Sequence, residues 1–525
     1  MINVDPVQLE IFKSLFHSIA EEMGATLKRT AYSPNIKERR DYSCAVFDAE
    51  GHMVSQGDHM PVHLGSMPLS VKAAIENRKI SPGDMVILND PYAGGTHLPD
   101  ITLVSGVFDR KVLRFYVASR AHHSDVGGMS PGSMPVAEEI YQEGLRIPPV
   151  YLMSSGVMNK DVLDLILLNV RTPKEREGDL SAMIASNRTG ELRLIESVQR
   201  YGWAQVQRYV HEILNYSERM TRAAIRSIPD GTYAAEDFLD DDGVGNAPVR
   251  VAVEIRIRGD KATIDFSESD TQAAGSINAV YAITASAVFY VFRTLVDMPI
   301  PSNAGGMRPL QIIAPTGTVV NARPPAAVCG GNVETSQRIV DVLYKSLAKA
   351  LPDRIPSASQ GSMNNVTFGG TDPRTHEPFA YYETVCGGMG ARPGMNGISG
   401  VHTHMTNSMN TPVEAFEHDY PVRVVRYGLR RGSGGSGRHC GGDGVVREIQ
   451  FLGSAQVTVL SDRRKMAPYG LQGGQPGLPG RNQIVRRGGA IEAIPSKCSV
   501  WVEPGDTLSI ETPGGGGWGH PIFPK

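Results

Sequence analysis

The chain has 525 residues, 41% of them hydrophobic and 20% charged, enough apolar content for an ordinary globular core. Its net charge of −3 gives no electrostatic basis for binding nucleic acid or an anionic membrane. No run approaches roughly 18 apolar residues, so the sequence contains no membrane-spanning helix.

At roughly 100–200 residues per domain, the length corresponds to about three domains or one large composite fold. Glycine (57) and proline (35) are abundant, which predicts many turns and loops. The five cysteines, Cys44, Cys329, Cys386, Cys440 and Cys498, are odd in number and scattered, with no CxxC. That pattern argues against a disulfide framework or a cysteine-type zinc site and fits a reducing cytoplasm. The N-terminus has no basic region followed by an apolar run, so no secretory signal is expected.

The chain opens on a predicted helix, with Asp5 as N-cap and Pro6 as first helical residue. Val7, Ile11, Leu15, Ile19 and Met23 recur at helical spacing, and Phe12, Phe16 and Leu27 widen the stripe. "DYSCAVFD" and "MVSQ" read as strands around the turn "AEGH", and "ITLVSGVF" and "VLRFYVAS" as a second antiparallel pair joined by "DRK". Helical patterns return at "DVLDLILLNV" and from "GELRLIESVQ" through "TRAAIRSI". After "IPDGTY", "VRVAVEIRIRGDKATIDFSES" predicts a hairpin, and "ASAVFYVFRTLV" and "ETSQRIVDVLYKSLAKAL" predict buried helices. From about Tyr427 the chain is glycine-rich and β-like. The expected class is α+β, a large composite multi-domain fold with antiparallel sheets, buried helices and a glycine-rich β C-terminal region. The expected divisions are a metal-bearing region 1–230, a central α+β region 231–426, and the glycine-rich region 427–525.

Seven of the 14 histidines fall within the first 123 residues: His17, His52, His59, His63, His97, His122 and His123. In "NDPYAGGTHLPDITLV", Pro91 and Pro99 exclude a single helix, so His97 and Asp100 lie where a loop enters a strand. A tight hairpin centred near Arg110 brings "THLPD" and "AHHSD" together, with His97 beside residues near 123 and Asp100 beside residues near 120. Adjacent His122 and His123 point to opposite faces of a strand, and the register decides which joins the site; a turn on Arg110 favours His123. Two histidines with one or two carboxylates, Asp41 among them, form a nitrogen–oxygen donor set suited to Zn, Mn or Fe and unlike a Ca or Mg site. The alternative is that these are polar strand ends bonding turn backbone.

Other motifs carry less chemistry. "DFLDDDG" (Asp237 to Gly243) lacks the full spacing of a calcium loop and is expected to be a solvated acidic turn. "RGSGGSGRHCGGDG" is not a phosphate-binding loop of the G-x-x-x-x-G-K-[ST] type and reads as turns in a β region. "PGGGGWGHP" reads equally as a plug or as a turn in close backbone contact. Cys329 and Cys386, beside glycines, are expected to be small buried residues.

"SPNIKERRDYSCAVFDAEG", "NDPYAGGTHLPDITLV", "RAHHSDVGG", "GLRIPP", "NTPVEAFEHDYPVRV" and "PGGGGWGHP" together resemble the hydantoinase B/oxoprolinase family. Relatives in that family include hydantoinase B subunits, the C-terminal part of 5-oxoprolinase, the caprolactamase β subunit and the acetone carboxylase α subunit. The resemblance implies the metal-bearing subunit of an ATP-dependent cyclic amide hydrolase. A partner of the hydantoinase A type would use ATP and Mg to phosphorylate the substrate carbonyl oxygen, and metal-bound water on this chain would attack the activated carbon. One divalent transition metal, Zn, Mn or Fe, is implied, with Asp41, His97, Asp100 and one of His122 or His123 as ligands. Glu38, Asp125 and Glu143 lie in or near the matching motifs as catalytic candidates, and Arg39, Arg40 and Arg146 as further polar candidates; each is equally readable as a structural ion pair. The alternatives are the metal-bearing subunit of a ketone carboxylase, whose chains are longer, and a non-catalytic scaffold subunit. The expected assembly is a cytoplasmic hetero-oligomer acting on a small cyclic amide.

Overall fold

In the computed structural model, which describes residues 5–521, the chain begins with α1 (Pro6–Thr30). The Asp5 carboxylate caps it by accepting a hydrogen bond from the Val7 amide at 2.9 Å. Phe12, Phe16, Ile19, Met23 and Leu27 form the buried stripe, while Val7 and Ile11 face solvent. The expected stripe is thus out of phase at its start, because the two phenylalanines bury more apolar area than the aliphatic pair would.

A short α2 (Pro34–Lys37) leads into the first sheet. This sheet comprises β1 (Tyr42–Asp48), β2 (Met53–Gln56), β3 (Met85–Leu88), β4 (Asp100–Asp109), β5 (Val112–His122), β6 (Val150–Ser154) and β7 (Val157–Met158), in the order β2-β1-β5-β4-β3-β6-β7. Side chains alternate between two cores. Cys44, Val46, Leu103, Phe115 and Val117 join the core shared with α1, whereas Ala45, Phe47, Val104, Tyr116 and Ala118 join the one under α3 (Ser66–Asn77). After α4 (Lys160–Leu168), α5 (Pro173–Tyr201) packs on α1, β4 and β5, and α6 (Trp203–Arg226) follows. The single helical stretch expected from 190 onward is two helices, broken at Gly202 (φ 77°) and starting 17 residues earlier. Residues 173–189 escape a periodicity reading because α5 buries polar side chains there, among them Arg176, Asp179, Ser186 and Asn187.

The second sheet, β8 (Gly231–Leu239), β9 (Val249–Arg258), β10 (Lys261–Asp265) and β11 (Leu310–Ile313), is antiparallel except for the β10–β11 pair. Around it lie α7 (Tyr281–Thr294), α8 (Ala304–Met307) and α9 (Ser336–Leu347), and α9 packs across β8 and β9. The third sheet joins β12 (Asn365–Thr371) and β13 (Pro378–Thr384) to β16 (Ala455–Leu460) and β19 (Lys497–Val502), so it takes strands from both sides of position 426. The fourth contains β14 (Val422–Arg430), β15 (Gly444–Phe451), β17 (Arg481–Val485), β18 (Ile491–Ala493) and β20 (Thr507–Glu511). The whole is a mixed α and β fold of several sheets.

Two expectations about loops resolve here. "PGGGG" (513–517) is a backbone thread in close contact with its neighbours. Gly435 N donates to Gly515 O at 2.8 Å, Gly515 N to Gly442 O at 2.9 Å, Gly442 N to Met389 O at 2.8 Å, and Gly517 N to Gln475 O at 2.8 Å. "DFLDDDG" is not the solvated turn expected. Asp237 pairs with Arg463 at 2.6 Å, Lys497 lies 3.5 Å from Asp241, and Asp240 accepts the amides of Arg464, Lys465 and Met466. These partners lie more than 220 residues away, as with Asp240 and Arg464 (224 apart), so no local pattern signals them.

Candidate functional site

The β4–β5 hairpin places the first candidate residues. Arg110 (φ 48°) and Lys111 (φ 77°) form a two-residue turn with both central residues left-handed, the turn that suits strand twist. A bulge between Val107 and Phe108 then shifts the pairing by one more residue, and Asp100 faces His122. The register centred on Arg110, which set His123 opposite His97, is therefore corrected. His122 lies on the α3 face with Asp100, while His123 turns to the α5 face, where Arg176 and Asp179 are its charged neighbours. The two histidines do diverge to opposite faces, as strand alternation requires.

His97 arrives from the loop before β4. Its ring centroid lies 4.9 Å from that of His122, and its Nε2 is 3.3 Å from Asp100 Oδ2. The same carboxylate oxygen receives the Thr96 hydroxyl at 2.5 Å and lies 3.3 Å from His63 Nε2. His63 Nδ1 meets the Ser43 hydroxyl at 2.8 Å. Asp41 precedes β1, and its carbonyl accepts the His122 amide at 3.0 Å. Its carboxylate is 4.0 Å from the buried Arg39 guanidinium.

All of these side chains are buried. Burial raises the Asp100 carboxyl, but His63 and His97 overcome it and hold Asp100 well below the usual carboxylate range. Burial lowers His63 and holds His122 well below the usual imidazole range, so both rings are neutral. Burial pushes Asp41 up to about 7, against the attraction of Arg39 and with the repulsion of Asp100. Neutral imidazoles beside an ionised carboxylate are the protonation states that metal ligands require. His97 Nδ1, Asp100 Oδ1 and His122 Nε2 are buried polar atoms without a hydrogen-bond partner. Such atoms are costly unless something binds them, so the residues fit a cation. The set is open, however. Among the described residues, the trio whose ligand atoms all lie within 4.8 Å of one another is Asp48, Glu50 and His52, on the β1–β2 turn.

Glu38 is half-buried at the C-cap of α2. Asp125 accepts the amides of Gly127, Gly132 and Arg171 and pairs with the Arg171 guanidinium at 2.9 Å, which ties down a turn. Glu143, fully buried, accepts the Val328 and Cys329 amides at 2.6 and 2.8 Å, and burial pushes its carboxyl up to about 7. Arg146 pairs with Asp90 at 2.8 Å. Cys329 and Cys386 are buried, and burial raises both thiols, so neither is poised as a thiolate.

Sequence reasoning missed His63, Asn332 and Tyr382. The Asn332 side-chain amide lies 3.1 Å from His97 Nε2 across a separation of 235 residues. The Tyr382 ring stacks on His122 at 4.2 Å and 9°. His63 stood among the clustered histidines, but nothing in "MPVHLG" distinguishes it from His59. The other two sit in segments whose patterns report only burial.

Comparison with known proteins agrees with the fold and the motifs. A solved structure, the ATP-dependent caprolactamase of Pseudomonas jessenii, superposes with a TM-score of 0.91 at 30% identity, covering 99% of this chain and 92% of that one. Acetone carboxylase has a TM-score of 0.92 at 18% identity, over 76% of its chain, and shows the shared fold alone. A putative D-/L-hydantoinase component of the B type, from a Pseudomonas strain, is 33% identical over 99% of this chain and 90% of its own. 5-Oxoprolinase 1 of Arabidopsis thaliana is 40% identical over 99% of this chain, which spans only 42% of that relative's length. The family described as hydantoinase B/oxoprolinase matches residues 5–521, and this chain belongs to it.

Proposed function

We propose that this chain is the ion-holding component of an ATP-dependent hydrolase of cyclic amides, with Asp41, His97, Asp100 and His122 as ligands of one Zn, Mn or Fe ion. The observation that carries the reading is the meeting of His97, Asp100 and His122 with three unpartnered buried donor atoms among them. Bound there, such an ion supplies Lewis acidity and a nucleophilic hydroxide at neutral pH.

The remaining steps belong to the chain's own side chains. Thr96 and His63 fix one oxygen of Asp100 and leave the other free to face the ion. Arg39, held by Thr384 and Ser408 hydroxyls at 2.9 and 3.4 Å, offsets the negative charge of Asp41. Ser408 also lines a surface pocket of about 620 Å³, with Arg40, Tyr42, His402 and Asn410, so a pocket large enough for a small cyclic amide lies one hydroxyl away from Arg39. An amide is a poor electrophile because attack destroys its resonance. Activation by phosphorylation is assigned to a hydantoinase A-type partner using ATP and Mg, in keeping with the longer 5-oxoprolinases and the ATP-dependent caprolactamase. Hydrolysis is preferred over ketone carboxylation because the caprolactamase, the hydantoinase component and the 5-oxoprolinase are 30%, 33% and 40% identical to this chain, whereas acetone carboxylase shares only the fold.

The test is reconstitution with an ATP-binding partner, screened against hydantoins, 5-oxoproline and lactams with ATP, and against ketones with bicarbonate. Ring opening that needs both proteins and ATP is expected, with no turnover by this chain alone. ATP-dependent turnover by the isolated chain, or carboxylation without ring opening, would overturn the assignment.

A further inference from the structure

We propose that the π-helical turn Gly331–Thr335 is a clamp that fixes both site imidazoles, Asn332 positioning His97 directly and Glu334 positioning His122 through Asn365 and Tyr382. It rests on the reading of His97 and His122 as ion ligands.

The turn is fully buried and runs directly into α9. π-Turns are rare and recur at functional sites, because the extra residue shifts the phase of side chains on either side of it. Here the shift serves two contacts. The Asn332 side-chain amide lies 3.1 Å from His97 Nε2, which also faces Asp100 Oδ2 at 3.3 Å; with the amide oxygen toward the ring, Nε2–H is held by two acceptors and Nδ1 stays free for the ion. Two residues on, Glu334 Oε1 accepts Asn365 Nδ2 at 2.9 Å and the Met363 amide at 3.1 Å.

Asn365 has no freedom to flip. Its Nδ2 donates to Glu334 and to Leu460 O at 3.0 Å, and its Oδ1 accepts the Tyr382 hydroxyl at 3.0 Å. Two acceptors face the amide nitrogen and one donor faces the oxygen, which fixes the orientation. Tyr382, so anchored, lies flat on His122, whose Nδ1 is held at 2.9 Å by Asn35. The ring can neither tilt nor rotate without breaking one of these contacts. Burial pushes the Glu334 carboxyl up to about 8, so it acts near neutral pH as a neutral acceptor, a role that glutamine can fill.

Positioning groups behind metal ligands change ion affinity by about 10–100-fold when removed. The metal-free full chain is titrated with Co²⁺, following affinity and the visible spectrum of the bound ion, with thermal unfolding as the check on folding. Wild type should bind one Co²⁺ and His122→Ala none. Asn332→Ala and Glu334→Ala should each weaken binding about 10-fold or more and shift the spectrum, while Glu334→Gln restores both. Tyr382→Phe keeps the stack and the volume but loses the bond to Asn365; it should weaken binding several-fold and serves if the alanine variants fail to fold. Folded Asn332→Ala, Glu334→Ala and Tyr382→Phe proteins with wild-type affinity and spectrum would overturn the clamp and leave the ion site standing. A wild-type chain that binds no Co²⁺ would overturn the ion site itself, and the clamp with it.

Discussion

The hairpin site in the first sheet and the glycine threads of the C-terminal region solve opposite problems. In the hairpin of the site, the ladder from Asp100 to Val107 is regular and the side chains are specific. Asp100 and His122 are a cross-strand pair in a regular ladder, and their chemistry would vanish on truncation to alanine without disturbing that ladder. Among the threads, the side chain itself is excluded. A Cβ on Gly515 would overlap Met389 O, one on Gly514 would overlap Ser433 O, and one on Gly441 would overlap Gly515 O. The obstacle in each case is backbone, which cannot rotate away. The first region is specified by what its residues carry and the second by what they lack, so equally small substitutions should fail in different ways.

The largest effect is expected at Gly515. Gly515→Ala places a methyl group against a carbonyl already engaged with Gly442, and should cost about 3 kcal/mol or more, since overpacking against backbone has no cheap relief. Thermal or denaturant unfolding of purified protein measures it. A variant as stable as wild type would mean that the threads are looser than their hydrogen bonds imply.

Next comes His97→Ala. Here the fold should survive, at a cost of about 1–3 kcal/mol for the partner lost by Asp100, while the ion is lost altogether. Metal analysis after dialysis against trace Zn²⁺ or Mn²⁺ reads the second quantity. Full occupancy in a folded His97→Ala protein would remove His97 from the ligand set and end the contrast between the regions.

The adjacent histidines give a narrower comparison. His122→Ala should abolish ion binding, and His123→Ala should retain it, because the ladder points them to opposite faces of the sheet. His123 is nonetheless buried, with both ring nitrogens unpartnered, and burial lowers its imidazole to about 3. Loss of the ion in a well-folded His123→Ala protein would show that the two faces communicate.

How much of this was legible follows the same division. The helix cap at Asp5, the strands around residues 42–56 and the 101–120 hairpin are set by local pattern, and the sequence reading found them. The expected hairpin does bring "THLPD" and "AHHSD" together. It missed the register by two residues: the turn centre adds one, and the bulge opposite Val107 and Phe108 adds the other, with Arg114 as the extra residue between Leu113 and Phe115, which are both apolar although they face opposite sides of the sheet. What stayed hidden was long-range. Nothing near Asn332 or Tyr382 announces a histidine more than 230 residues away, and the Asp237–Asp242 run looks solvated until Arg463 and Lys497 are brought to it. The glycines were visible, but composition states that side chains are absent without stating what fills the space.

An effect that shows only as a change with pH lies where the two modes meet. Glu143 is a side chain that holds backbone: its Oε1 takes the Val328 and Cys329 amides, just ahead of the Gly331–Thr335 turn, while Oε2 is buried without a partner. Burial raises its carboxyl from 4.5 to about 7, so the folded state holds that proton more tightly than the unfolded chain does. A carboxyl shifted in this direction contributes stability that is complete below about pH 4.5 and is lost as the pH rises through about 7. Glu143→Gln keeps an oxygen for both amides and removes the titration. The difference in unfolding free energy between wild type and Glu143→Gln should therefore move against wild type between pH 4.5 and 7, by no more than about 3 kcal/mol, and be flat on either side. Taking the difference cancels Asp41 and Asp341, whose buried carboxyls are also raised to about 7. A difference that is constant across the window would mean that Glu143 is ionised as it holds the two amides. The segment leading into the turn would then be secured by a charge, as the site is, rather than by a neutral hydrogen-bonding group set among backbone, as the threads are.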